Sequence, residues 1–240
     1  EVFRASAAGA ADFGVVPVEN STEGMVARSL DLFLTTPLSI VGETSLYVRH
    51  NLLRKIEGMA GIEAVCAHPQ ALAQCHAWLM QQLPNVERRP VASNAEGERQ
   101  ASLNDRLAAI ASERASSEYG LHVLSPAIQD DPHNRTRFAV VALPSQHPQP
   151  RASGHDCTSL VVSVPNKPGA VHDMLVPLKN HGVSMTRFES RPARSGQWEY
   201  YFYIDIDGHP DQPHVATALA ELRNACAYFK MLGTYPLDTH

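Results

Sequence analysis

The feature that most constrains this chain is a change of pattern near residue 150. From Asp12 to about Leu143, strand-like and helix-like segments alternate. "FGVVPV" is a short apolar run suited to a buried strand. "STEGMVARSLDLFLTT" comes next, with Met25, Leu32 and Phe33 near one helical face. "LSIVGETSLYV", rich in β-branched residues, reads as a strand, and so does "EAVCA". "HPQALAQCHAWLMQQL" reads as one helix, with Pro69 in its first turn and Leu72, Cys75, Leu79 and Leu83 at helical spacing. "VERRPV", "LAAIAS" and "RFAVVAL" read as further strands, with helices from Asn94 and Glu113 between them. Such alternation predicts an α/β domain with a largely parallel sheet covered by helices.

Residues 145–156, "SQHPQPRASGHD", offer almost nothing to bury and are expected to be a linker. The remaining stretch parses as βαββαβ: strand "TSLVVSV", a helix opened by Pro168 and Gly169, strands "VSMTRFES" and "WEYYFYIDI", a helix, and strand "YFKMLGTY". In the second helix Val215, Leu219, Leu222 and Cys226 fall on one face. This order is the ferredoxin-like α+β unit. That fold serves many functions, so function must come from sites.

Composition excludes several classes. The 240 residues are 44% hydrophobic and 19% charged, ordinary for a globular protein. No apolar run approaches the ~18 residues of a membrane span. The opening residues do not read as a signal peptide. The net charge of −5, without a basic tract, speaks against nucleic acid and anionic membranes. A cytoplasmic location is expected. Cys66, Cys75, Cys157 and Cys226 form no C-x-x-C pair and are expected as four reduced core thiols. The twelve histidines do not cluster at metal-ligand spacing. The first residues read as the end of a helix, so the true N-terminus is expected to lie upstream.

Three short motifs sit where chemistry collects. In "VVPVENSTEG" a strand runs through the polar turn Asn20-Ser21-Thr22 into an expected helix start. Amide N–H groups there bind carboxylates or phosphates. Plain N-capping explains the same residues, and caps are far commoner. "AHPQALAQC" has the same strand-to-helix build, with Gln70 and Gln74 one turn apart; two solvated amides explain it equally. In "NRTRF", Thr136 and Arg137 sit where a loop enters a strand, at the kind of edge where open α/β sheets bind ligands. Arg137 can pair with a carboxylate, or be an ordinary surface arginine.

Taken in order, "ADFGVVPVENSTEG", "HPQALAQC", "SNAEG" at 93–97, "AAIASERAS-EYGL" and "IQD…N-TRF" resemble the signature stretches of prephenate dehydratases. "PGA" at 168–170 and "ESRP" at 189–192 resemble the phenylalanine-binding ACT domain that comes after them in that family. The resemblance runs from Glu1 to about Pro236. It implies a catalytic domain over 1–144, lacking its first βα unit, a linker at 145–156 and an ACT regulatory domain over 157–240. The family's catalytic domain is two-lobed, similar to periplasmic binding proteins, with the active site in its cleft.

The resemblance implies conversion of prephenate to phenylpyruvate in L-phenylalanine biosynthesis, without metal or organic cofactor. The protein must hold a dianion, aim a proton donor at the leaving hydroxyl and desolvate the departing carboxylate. Positioning and preorganised hydrogen bonds supply most of that. By resemblance, Thr136 is the hydroxyl facing the leaving group, with Asn20 and Gln74 as its catalytic neighbours. Ser21, Thr22, Ser93 and Asn94 are implied carboxylate contacts, and Arg137 a charge. L-Phenylalanine, the implied allosteric effector, would meet Gly169, Ala170 and Val171 from one side and Glu189, Ser190, Arg191 and Pro192 from the other. That geometry implies a homodimer or homotetramer.

This chain departs from the family in places. Ala67 stands where many members have serine. The stretch 95–105, "AEGERQASLND", is more polar than the expected Ala-rich helix, and His172 replaces an apolar residue. The opening "GPxGTFS"-type segment is missing, so this stretch alone is expected to be poorly active or unstable. Arogenate as substrate, a chorismate mutase domain upstream, and a non-catalytic amino-acid sensor are the alternatives.

Overall fold

The structure, a computed structural model, describes residues 1–193 and 200–237. In chain order the elements are α1 (Val2–Ala7), β1 (Gly14–Asn20), β2 (Gly24–Met25), α2 (Ala27–Thr35), β3 (Ser39–Tyr47), β4 (Asn51–Arg54), β5 (Ala64–Ala67), α3 (Pro69–Gln74), α4 (His76–Gln82), β6 (Glu87–Pro90), α5 (Asn94–Leu103), β7 (Leu107–Ala111), α6 (Glu113–Tyr119), β8 (His122–Ser125), β9 (Arg135–Ala142), β10 (Asp156–Ser163), α7 (Ala170–Asn180), β11 (Met185–Pro192), β12 (Tyr200–Asp207), α8 (Pro213–Ala225) and β13 (Tyr228–Pro236). They fall into two compact units: Glu1–Leu46 with Thr136–His240, and Tyr47–Arg135.

The first unit holds two sheets, ordered β2-β1-β9-β3 and β11-β12-β10-β13. The second sheet is the expected βαββαβ arrangement, with β10 between β12 and β13, both antiparallel to it. One of its faces lies under α7 and α8, burying Leu160, Ile204, Met174 and Leu222. The other joins the core of the N-terminal segments, where Val161, Tyr203 and Leu232 meet Val16, Phe33 and Ile40. Polar groups fasten this junction. The Tyr203 hydroxyl donates to the Leu30 carbonyl at 2.7 Å. Lys230 Nζ donates to the carbonyls of Phe33 at 2.8 Å and Thr36 at 2.7 Å, satisfying groups left open at the C-terminus of α2. Residues 145–155 carry neither helix nor strand. They are nonetheless tied down: Thr234 N donates to Gln149 Oε1 at 2.7 Å, and the His209 ring nitrogen meets the Pro150 carbonyl at 3.0 Å.

The second unit is a five-stranded sheet, β6-β5-β7-β4-β8. Strands β4, β5 and β7 are buried at every residue, which explains their largely apolar sequences. Helix α5 lies close on β5. A Cβ on Gly97 would stand 2.5 Å from the Cys66 carbonyl oxygen, a backbone atom that cannot swing away. Gly97→Ala should therefore push α5 off the sheet and destabilise the protein by about 1–3 kcal/mol, as overpacking does. Urea unfolding with a lower midpoint at unchanged slope is the expected reading.

The structure differs from sequence expectation in several places. The expected largely parallel sheet is instead a mixed five-stranded sheet in the second unit and, in the first, a separate sheet in which β1 is flanked by antiparallel strands. Strand β5 pairs in parallel with β6 and β7, while β4 is antiparallel to β7 and β8, and β1 is antiparallel to β2 and β9. The chain leaves the first unit after Leu46 and re-enters it at Thr136, so β9 arrives beside β1 from the opposite direction. Alternation of elements records no such excursion. Strands β4 and β8 go beyond the expected set; each is only four residues long, too short for a period to show.

The expected helix start at Asn20-Ser21-Thr22 is instead a turn between β1 and β2; helix α2 begins only at Ala27, without a side-chain cap. The expected single helix from His68 to Leu83 is two. It breaks at Cys75, and Asp130, from a distant loop, caps the second piece by accepting from Ala77 N at 3.0 Å and Trp78 N at 3.3 Å. Cys66, Cys75 and Cys157 are buried free thiols, but Cys226 is only half-buried. Trp198 and Glu199 of the expected third ACT strand lie outside the described residues.

Candidate active site

In the first unit, antiparallel pairing of β1 with β9 sets Asn20 opposite Thr136 and Glu19 opposite Arg137. Residues 116 positions apart thereby touch: Asn20 Nδ2 donates to Thr136 Oγ1 at 3.0 Å. Asn20 is 8% exposed, and its amide cannot turn round. Its Oδ1 accepts from Thr22 N at 3.0 Å and Glu23 N at 3.1 Å, which is what folds the turn after β1. The side-chain nitrogen must then face Thr136. A hydroxyl has two lone pairs and one proton. Since Thr136 accepts from Asn20, its proton points elsewhere, and the incoming hydrogen bond polarises the O–H. The pair thus presents an oriented hydroxyl donor. The Ser21 and Thr22 side chains lie on the exposed turn beside it.

Arg137, expected to offer its charge to a substrate carboxylate, instead faces carboxylates of the chain itself. Its guanidinium lies 2.9 Å from Glu43, 3.2 Å from Asp205 and 3.5 Å from Glu19. Arg187 joins the cluster at 2.8 Å from Glu19 and 3.2 Å from Asp205. Asp205 also accepts from the Ser159 hydroxyl at 2.6 Å. These charges bridge β1, β3 and β9 to β11 and β12.

In the second unit, the remaining expected residues gather where β7 ends and the antiparallel β4 begins. Ligands of open α/β sheets bind at such edges. Gln74 Oε1 lies 2.8 Å from His50 Nε2; an amide oxygen only accepts, so this ring nitrogen carries the proton. Ser93 caps α5, its Oγ accepting from Glu96 N at 3.1 Å. Asn94 Oδ1 accepts from His68 N at 2.9 Å, fixing the HPQ turn against α5. Ala67 is fully buried. A hollow of about 540 Å³ opens at this edge, lined by Arg49, His50, Asn94, Glu98, Ser112 and Glu113 among others. Glu98 is 7% exposed, and burial, followed by the like charge of Glu118, pushes its carboxyl up from the ordinary range. Sequence reasoning misses His50 and Glu98. His50 stands in no motif. The signal for Glu98 is a charged residue in a stretch expected to be Ala-rich.

In the ACT region, Gly169 takes a left-handed conformation (φ 80°) and starts α7. Ala170 and Val171 line a smaller hollow of about 140 Å³ with Asn166, Lys167, Tyr200 and Phe202. Glu189, Ser190, Arg191 and Pro192 lie on β11, the edge strand, and do not line that hollow. Arg191 pairs with Asp31 at 3.1 Å.

The comparisons with known proteins agree with this architecture. The family model described as prephenate dehydratase matches residues 1–146, and that of the ACT domain matches 158–224. A bifunctional chorismate mutase/prephenate dehydratase of Neisseria gonorrhoeae is 49% identical over 229 residues, covering 94% of this chain and 62% of that protein. The chain thus spans less than two thirds of that relative. The structure of a prephenate dehydratase from Arthrobacter aurescens in complex with L-Phe superimposes with a TM-score of 0.86 at 35% identity, covering 97% of this chain and 78% of that one. A structure described as a quorum-quenching acylase, GqqA, gives 0.88 at 29% identity, covering 99% and 86%. With the first family model spanning more than half of its length, this chain belongs to the prephenate dehydratase family, with an ACT domain behind the dehydratase segment.

Proposed function

We propose that this protein is a prephenate dehydratase feedback-inhibited by L-phenylalanine. One observation carries the reading: Thr136 accepts a hydrogen bond from an amide that cannot flip, so its own proton is left for an acceptor other than Asn20. In the reaction the ring C–O bond breaks and the hydroxyl leaves as water, taking a proton. The ring carboxylate leaves as carbon dioxide, and its bonding electrons complete the aromatic ring. A neutral, oriented O–H suits this, because it stabilises charge growing on the leaving oxygen without bringing charge of its own. Asn20 orients Thr136; in the second unit Gln74, which accepts from His50, is proposed as a further catalytic residue. Ser21, Thr22, Ser93 and Asn94 are the proposed carboxylate contacts. Arg137 is left a structural role. Formation of phenylpyruvate from prephenate by the purified protein tests the reading; no product ends it.

An acylase reading, suggested by one structural relative, has less support. Acyl transfer needs a nucleophile beside a base. The partner of Thr136 is an amide, which takes no proton. Burial pushes the Cys75 and Cys157 thiols up to about 12 and Cys226 to about 11, far from thiolate at neutral pH.

The effector site proposed for L-phenylalanine joins the α7 hollow of one protomer to the β11 edge of a second, in a homodimer or homotetramer. The solved relative bound to L-Phe supports this. Calorimetry should show saturable heat with L-phenylalanine that Gly169→Val abolishes, since a β-branched residue resists φ near +80°. Unchanged heat would refute the placement.

A further inference from the structure

We propose that Arg187 of β11 links the hollow beside α7 to the catalytic pair: through its ion pair with Glu19, binding of L-phenylalanine shifts Asn20 against Thr136. This rests on the dehydratase and effector readings above. Side chains alternate along β11, so that Arg187, Glu189 and Arg191 are partly covered while Thr186, Phe188, Ser190 and Pro192 are exposed. On one face Phe188 stacks on Phe202 with ring centroids 5.2 Å apart, and Phe202 lines the hollow. On the other face, one residue earlier, Arg187 Nη2 lies 2.8 Å from Glu19 Oε2. Glu19 directly precedes Asn20. The whole route from hollow to catalytic pair thus lies within one compact unit.

The end of β1 is suited to such a shift. Its pairing with β9 slips register between Pro17 and Glu19, so Val18 forms a bulge and only Glu19 and Asn20 lie beyond it. A bulge bends its strand and interrupts the ladder, which leaves these two residues as a short separate segment. Two arginines reach the same carboxylate oxygen of Glu19. Arg187 stands at 2.8 Å, whereas Arg137 Nε, buried and without a hydrogen bond among the described residues, stands at 3.5 Å. Glu19 is therefore held chiefly from the ACT sheet. When the effector moves β11, Arg187 draws Glu19 with it. The 3.0 Å hydrogen bond from Asn20 to Thr136 does not survive a displacement of about 1 Å. Without Arg187, Glu19 turns to the waiting Arg137 Nε; the catalytic pair then keeps its place but loses its tie to β11. Adjacency alone is no proof of coupling, so coupling itself must be measured.

Prephenate turnover and calorimetry with L-phenylalanine, on the parent, Arg187→Met and Arg187→Lys, test this. Saturating L-phenylalanine should slow the parent by about 5- to 150-fold, the usual range of coupling between two sites. Arg187→Met keeps an apolar stem against the sheet. It should bind L-phenylalanine and retain the uninhibited rate, yet lose less than about half of that rate at saturation. Arg187→Lys still presents a cation to Glu19 and should restore inhibition in part. A residue that merely props the fold would not separate binding from inhibition. Parental inhibition in Arg187→Met overturns the proposal. So does loss of L-phenylalanine binding, which would place Arg187 in the effector site, and so does a collapsed uninhibited rate, which would make it a support of the active site. Should Arg187→Met fail to fold, Arg187→Gln, which can still donate to Asp205, should show the same split, and parental inhibition there refutes the link. A parent without prephenate turnover ends the dehydratase reading and this inference with it. A parent that turns prephenate over but neither binds nor responds to L-phenylalanine ends only the effector reading and this link.

Discussion

Thr136→Ala is expected to lower prephenate turnover by about 10²–10⁴-fold, the range that positioned proton donation supplies. The loss should fall on kcat, with KM changed little, because the hydroxyl acts on an oxygen that becomes negative only as the C–O bond breaks. Thr136→Ser keeps the O–H and the acceptor for Asn20 Nδ2, and should retain much of the rate. Serine lacks the methyl group that restricts rotation, so some loss remains. Asn20→Asp should be as damaging as Thr136→Ala. A carboxylate at residue 20 still accepts from Thr22 N and Glu23 N, but it would accept the Thr136 proton rather than donate to its oxygen. The turn would hold while the hydroxyl pointed the wrong way. Steady-state rates of the three variants decide the matter. A Thr136→Ala protein with parental kcat would remove the threonine from the mechanism.

Arg137→Met is expected to destabilise the protein by about 3–5 kcal/mol, the usual result of removing one partner from a buried charge cluster. For a chain of this size that lowers Tm by roughly 6–20 °C. The Glu43 and Asp205 side chains are only 12% and 10% exposed, so neither can recover full hydration once the guanidinium is gone. Arg187 still reaches Asp205, so part of the cluster survives the change. Arg137→Lys should restore part of the loss, since one ammonium cannot serve three carboxylates as a planar fork does. Coupling is testable too: Arg137→Met with Asp205→Asn should cost less than the sum of the two changes. If Arg137 served substrate alone, Arg137→Met would unfold at the parental temperature and raise KM. Because the cluster lies one residue along from Asn20 and Thr136, it also ties the ACT sheet to the strands that carry the proposed catalytic pair.

Much of this was legible in the sequence for a physical reason. A strand buried on both faces must be apolar throughout, as Ala64–Ala67 and Leu107–Ala111 are, and a helix with one covered face must repeat its apolar residues every three to four positions, as Val215, Leu219 and Leu222 do. These are local demands, so a local pattern records them. The motif residues were equally visible, because their wording matches a family.

Three things were decided only by tertiary structure. The direction of β9 beside β1 reflects an excursion of the chain through the whole second unit, and it alone sets Asn20 against Thr136. The break at Cys75 needs Asp130, a carboxylate more than fifty residues away that caps the second helix; the apolar spacing of Leu79 and Leu83 continues across it and hides it. Arg137 looked available for a ligand because arginine is always charged and its neighbours in sequence offer it nothing. Its partners Glu19, Glu43 and Asp205 come from three other strands, and one of them from the ACT sheet. Periodicity fixes which face of an element is covered; which charges meet across that face depends on distances between segments, and these exist only once the chain has folded.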